Sequence, residues 1–381
     1  MKTQTQIENL KSLQFSVLDF IDNEDGNEEH FENLCHLIER LKITKNKPEF
    51  KLFLSLIISI SNNHHRNVNF FEKIERILME YKKIIGEYFS NNEIFTMFAS
   101  NKRLILFLIN EKVIYFYKYI LNEIEKNGYE EYFLLEINNY YQNNDKIITC
   151  DFNEKRKAGE NDNKLCEIIR KDLIEDFITL VNQNQYPIDS NIEKSIYETN
   201  SFLLLKKEIK LIEYAAFYGS CKIFKYLFRC GETLSPSIWL YAVHSNNLKM
   251  INLLEEYLIN PNQEKIDDEE IFPILKIIIE SIACHNNDIT NYFLNKEANF
   301  VKNKEKLIQA KSARYYNFAY FPERINNIKF FLYLCKYDYQ TLVETFISKK
   351  KVSIEKMKII KHKIFLMTLY AIFQIKFCFV I

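Results

Sequence analysis

The chain has 381 residues, 47% of them hydrophobic, which is enough for a sizeable core and for two or three domains or one elongated array. Lys and Arg number 51 and Asp and Glu 51, so the basic surplus that a general nucleic-acid binder needs to neutralise phosphates is missing, and no nucleic-acid partner is expected. Six glycines and six prolines are too few for the regularly spaced turns of a sandwich or barrel, which points to an all-α fold.

Residues 1–150 read as an N-terminal helical region. The start, MKTQTQIENLKSLQ, has no apolar signal-peptide core, and the eight cysteines have neither C-x-x-C spacing nor a His at zinc-ligand spacing. Reduced thiols in the cytoplasm are therefore expected. The run FLSLIISI (53–60) is too short to span a membrane. It ends in SNNHHRN, where His64 and His65 are expected in a solvated loop. In NFFEKIERILMEYKKIIGEYF, Phe70, Ile74, Ile77, Leu78, Tyr81, Ile84, Ile85 and Tyr88 recur at helical spacing. Asn69 followed by Glu72 reads as a start signal of the capping-box kind. Two more helical patterns flank SNKR in the segment that follows.

Residues 151–164, DFNEKRKAGENDNK, are polar and charged and read as a loop and a boundary. Residues 165–200 read as transitional helices, with Ile168, Ile169, Phe177 and Leu180 on one side.

Within 201–348 four segments align: YAAFYGSCKIFKYLF (214–228), YAVHSNNLKMINLLE (241–255), ESIACHNNDITNYFL (280–294) and YLCKYDYQTLVETFI (333–347). Each reads as a short helix, a tight turn and a second helix. The turn positions are Gly219, Asn246, His285 and Asp338. A sharp helix-to-helix turn needs positive φ, which Gly adopts at no steric cost and which Asn, Asp and His tolerate best among the others. Gly231, 12 residues beyond Gly219, is expected to end the second helix of the first unit.

Residues 210–232 resemble an ankyrin repeat. Ala215 and Ala216 match the family's Ala pair, Gly219 its first Gly, Ile223 and Phe224 its apolar pair, Leu227 and Phe228 its Leu pair, and Gly231 its second Gly. The family's T-P-L-H start is replaced by Leu211, Ile212 and Glu213, and KEANF (296–300) stands where the third unit would end in G-A-N. The turns are 27, 39 and 53 residues apart, against the family's usual repeat of about 33. Trimmed hairpins and later insertions follow from that. Together with FFEKIERILMEYKK and SNKRLILFLINEKVI, the chain up to about residue 348 is similar to a large protist family of divergent ankyrin proteins with an N-terminal helical region.

The resemblance implies an ankyrin-type helical solenoid, and hence a non-catalytic scaffold that binds another protein through its concave face and acts as a monomer. The family's recognition positions, the two residues before each turn, fall on Phe217 and Tyr218, His244 and Ser245, Ala283 and Cys284, and Lys336 and Tyr337. The alternative is that these positions pack against the insertions. Trp239, the one tryptophan, is expected in the core between repeats, the alternative being a binding hot spot.

No Gly-rich phosphate loop, G-x-S-x-G, H-E-x-x-H or EF-hand pattern appears, so no catalytic residue, metal or cofactor is expected. Cys284 and His285 are adjacent, and neighbouring side chains do not face one another as nucleophile and base must. The acids at 267–270 suit a helix start.

Residues 349–381 form a basic and then apolar tail. KKKVSIEKMKIIKHK precedes IFLMTLYAIFQIKFCFVI (364–381), 18 residues with one charge, Lys376. The alternative functional reading is therefore a membrane-tethered adaptor anchored by 364–381. A capping helix or a truncation artefact are the other readings of this tail.

Overall fold

The computed structural model describes residues 2–23, 28–67, 69–142, 149–257, 273–296, 304–325 and 328–350. It is mostly helical. Among the described residues there is no strand, and the extended pairing is an isolated antiparallel bridge between Asn191 and Lys210. None of these helices is long and apolar enough to cross a membrane. The acidic run 267–270, residues 297–300 of KEANF, and the tail from 351 onward lie outside the described residues.

The described residues divide into two compact units, one formed by those up to 56 and those of 304–350, the other by those of 57–296. The fourth aligned segment (333–347) therefore belongs to a different unit from the first three.

The chain begins with α1 (Lys2–Asp22), α2 (Glu28–Arg40) and α3 (Lys47–Asn63). Helices α1 and α2 pack together, with the Phe20 and Phe31 rings 5.2 Å apart. His64 follows α3 and is buried, its Nδ1 donating to the Cys284 carbonyl at 2.6 Å, so it is not the solvated loop residue the sequence suggests. The expected helix over 70–88 breaks at Tyr81 into α4 (Phe70–Glu80) and α5 (Lys82–Tyr88). Asn69 precedes α4 at φ 69 but makes no side-chain cap. The capping box sits instead at the start of α6 (Asn91–Phe98), between Ser90 and Glu93. Then come α7 (Lys102–Asn110), α8 (Lys118–Lys126) and α9 (Leu134–Tyr141).

Residues 151–164 are not simply a loop, because they carry α10 (Phe152–Ala158). The charges there are used in packing: buried Arg156 donates to the Tyr132 carbonyl at 3.1 Å and pairs with Glu136 at 2.7 Å.

Helix pairs follow. They are α11 (Lys164–Arg170) with α12 (Ile174–Asn184), then, after the short α13 (Ser201–Leu205), α14 (Leu211–Tyr218) with α15 (Cys221–Arg229). Next are α16 (Ile238–Ala242), prolonged by a 3-10 turn over Val243–Ser245, with α17 (Leu248–Glu256), and α18 (Pro273–Ala283) with α19 (Asn287–Lys296). The first helices pack in series, α11 on α14, α14 on α16 and α16 on α18, and α12 packs on α15. Each pair alone would leave an apolar face open. Side by side they bury Ala215 and the larger Ile169, Leu211, Phe224, Leu227, Ile251 and Ile278, each of these larger side chains contributing about 1.5–3 kcal/mol. Trp239 belongs to this core and meets Phe293 edge-on at 5.7 Å.

In the other unit, α20 (Glu305–Arg314) packs on α21 (Ile328–Lys336), and α21 on α22 (Gln340–Lys350).

The turn residues share one backbone conformation. Gly219, Asn246, His285 and Asp338 have φ of 71, 48, 59 and 60°, and Gly231 has 98°. Among residues not singled out from the sequence, Asp172 between α11 and α12, at 50°, and Tyr316 after α20, at 55°, do the same, as do Lys42, Lys112, Gln142 and Gln185 at other helix ends. At Asp172, Gly219, His285, Tyr316 and Asp338 the next N–H closes back on the carbonyl five residues earlier, at 2.9–3.2 Å, which satisfies a last-turn acceptor of the preceding helix.

Candidate interaction site on the helix pairs

The residue after each turn reaches back to the preceding pair. Ser220 donates its hydroxyl to the Ile169 carbonyl. Asn247 donates its amide to the Gly219 carbonyl at 3.2 Å, and Asn286 to the Val243 carbonyl at 2.5 Å. In the other unit, Tyr339 donates its hydroxyl to the Ala313 carbonyl at 2.8 Å. Ile169, Val243 and Ala313 each stand three residues before a left-handed residue, Asp172, Asn246 and Tyr316. The acceptor is thus a carbonyl at a helix end, where hydrogen-bonding capacity is left over. The Asp172 carboxylate also accepts from the N–H groups of Lys222 and Ile223 at 3.1 and 3.0 Å, capping α15 from the neighbouring pair.

The eight expected recognition residues do not form one accessible surface. Phe217, His244, Ala283 and Cys284 are buried. Phe217 stacks on Phe202 at 6.0 Å and on His244 at 4.7 Å. Tyr218 is half-buried, and its hydroxyl is shielded from solvent with no hydrogen-bond partner. Burial and then the charge of Glu198 push its ionisation well above the usual phenol range. Ser245 is half-buried and turned inward, donating to the Ala242 carbonyl at 2.7 Å. Lys336 and Tyr337, also half-buried, lie in the other unit, with the ammonium over its neighbour's ring at 5.5 Å.

What covers Phe217 and His244 is the strap from α12 to α14, residues 185–210. Its Phe202 lies 4.4 Å from the His244 ring and meets Tyr241 edge-on at 5.0 Å. The strap is pinned by a buried ion pair. Glu198 Oε1 accepts from the N–H groups of Thr199 and Asn200 at 2.8 and 2.7 Å and from Arg66 at 3.4 Å. Arg66 also donates to the Gly159 carbonyl and to Thr199 Oγ1, both at 2.7 Å. Asn161 donates to the Glu193 carbonyl at 2.7 Å.

Between the strap and α14 lies a cleft of about 90 Å³, walled by Ile192, Leu203, Leu204, Ile209 and Tyr214, with Glu198 at its inner side. Lys194, Lys206 and Lys207 also border it. Leu204 is 45% exposed, the adjoining Leu205 84%, and Ile196 37%. Lys206 lies over the Phe202 ring at 4.4 Å, and its partial burial lowers its affinity for a proton. The sequence signal for this site is slight: the apolar run Phe202–Leu205 directly before two lysines, too short to show a period.

Comparison of the chain with protein-family models, with curated proteins and with solved structures finds no match.

Proposed function

We propose that the protein is a non-catalytic interaction scaffold, an ankyrin-type array of helix pairs, that binds a partner protein at the strap cleft. The stacked pairs with left-handed turns support the scaffold reading. The observation that carries the binding reading is the apolar ridge of Leu204, half-exposed and lining the apolar cleft, and Leu205, exposed beside it. Isolated exposed leucines are common, but an exposed pair opening into an apolar cleft is the form of a recognition site. Three lysines against Glu193 and Glu198 leave the border of the cleft with a basic excess of one charge, which favours a peptide segment whose apolar anchor is flanked by acidic residues.

The test compares the full chain with the Leu204→Asp, Leu205→Asp double variant in affinity capture. A co-captured protein should be lost with the variant while the thermal midpoint stays unchanged. Undiminished capture by the variant would remove the cleft from the account.

A further inference from the structure

We propose that His244, Glu280 and Cys284 form a binding site for a zinc ion. Glu280 is on α18 and Cys284 is the turn residue just past its end, its N–H still bonded to the Glu280 carbonyl at 3.0 Å, so the two side chains stand one turn apart on one face. His244 reaches them from the 3-10 turn after α16. Cys284 Sγ lies 3.1 Å from His244 Nδ1, and His244 Nε2 lies 2.9 Å from Glu280 Oε1. One ligand atom from each residue falls within 4.8 Å of the other two. Local spacing rules do not reveal this group, because the histidine is 40 residues from the cysteine.

Thiolate, imidazole and carboxylate are all zinc ligands. Zn–S bonds of about 2.3 Å and Zn–N bonds of about 2.0–2.1 Å separate tetrahedral ligand atoms by roughly 3.5 Å, so the sulfur and Nδ1 need open only a few tenths of an ångström. The Glu280 side chain, 23% exposed, rotates from Nε2 to complete the third position and leaves the fourth to water on its solvent side. The histidine is held in place beforehand: its ring stacks on Phe217 at 4.7 Å and lies 4.4 Å from Phe202. Preset ring orientation lowers the ordering cost of a ligand.

Charge balance favours the ion. A dication with one thiolate, one carboxylate and a neutral imidazole sums to zero, so no net charge is buried. Zinc takes the fully buried Cys284 as its thiolate, so binding releases the thiol proton to solvent.

The test uses the full chain and Co²⁺ as a spectroscopic stand-in, with Zn²⁺ as competitor. The wild type should take up a single equivalent of Co²⁺ with a near-ultraviolet thiolate-to-cobalt absorption that Zn²⁺ removes. Cys284→Ser should abolish that absorption, and Cys166→Ser, at another buried thiol, should leave it. Should Cys284→Ser fail to fold, Glu280→Gln at the more exposed ligand should weaken Co²⁺ binding at least about tenfold. Absence of the absorption in the wild type, its survival in Cys284→Ser, or unchanged affinity in Glu280→Gln would mean that the three residues form only a hydrogen-bonded chain.

Discussion

Tyr339 donates its hydroxyl to the carbonyl of Ala313 at 2.8 Å, the same step from one turn to the previous helix end that Asn286 makes to Val243. Tyr339 is fully buried. Its hydroxyl therefore exchanges no hydrogen bond with water, and deleting it leaves a carbonyl short of a partner in a dry site. Tyr339→Phe, which keeps the ring, should cost about 1–2 kcal/mol in chemical denaturation. A change within about 0.3 kcal/mol would show that the step is geometric coincidence without energetic weight.

The turns were legible in the sequence and the surface was not, for a physical reason. Positive φ restricts the residue types at one position, so Gly219, Asn246, His285 and Asp338 could be read from composition alone. Asp172 is of the same class but stands 47 residues before Gly219, across the strap, and reads as part of a transitional helix. Tyr316 has no compositional signature, because aromatic residues seldom hold that conformation. Burial of Phe217, His244, Ala283 and Cys284 was not legible, because a repeat pattern specifies which positions face away from the paired helix, not whether another segment covers them. Phe202 on the strap buries Phe217 and His244, and nothing periodic announces it. The grouping of His244 with Glu280 and Cys284 is likewise a consequence of stacking, invisible until α16 lies against α18.

The Glu198–Arg66 pair, 3.4 Å apart and almost wholly buried, should act as a clamp on the strap. Glu198→Ala leaves the guanidinium buried without its counter-charge and releases the N–H groups of Thr199 and Asn200. The expected loss is about 3–5 kcal/mol. Combining it with Arg66→Met should cost less than the two single losses added together, by about 1–3 kcal/mol. Strict additivity in the denaturation midpoints would show that the two side chains do not act as a pair.

Lys102 gives the stability a pH signature. Its ammonium is buried against the Tyr129 and Tyr132 rings, at 5.7 and 5.2 Å, and burial lowers its pKa from 10.5 to about 8, with Glu198 opposing. Below pH 8 both folded and unfolded chains hold the proton, and folding bears the full burial cost of the charge. Between pH 8 and 10.5 the unfolded chain still holds it while the folded chain has released it, so stability rises with pH across that window. The contribution is at most about 1.4 kcal/mol per pH unit. Lys102→Met should flatten this rise relative to wild type in urea titrations across the same range. Parallel curves for the two proteins would contradict the assignment.

The most direct measurement of the central claim is site-specific photo-crosslinking from the full chain. A photoreactive residue replaces Leu205, which is 84% exposed beside the cleft, and in a control replaces Phe15, which is 72% exposed in the other unit. A partner held at the strap cleft should give a discrete protein adduct from position 205, absent from position 15 and lost when Leu204→Asp is added. No adduct from position 205, or one that persists with Leu204→Asp, would contradict a partner held at the strap cleft.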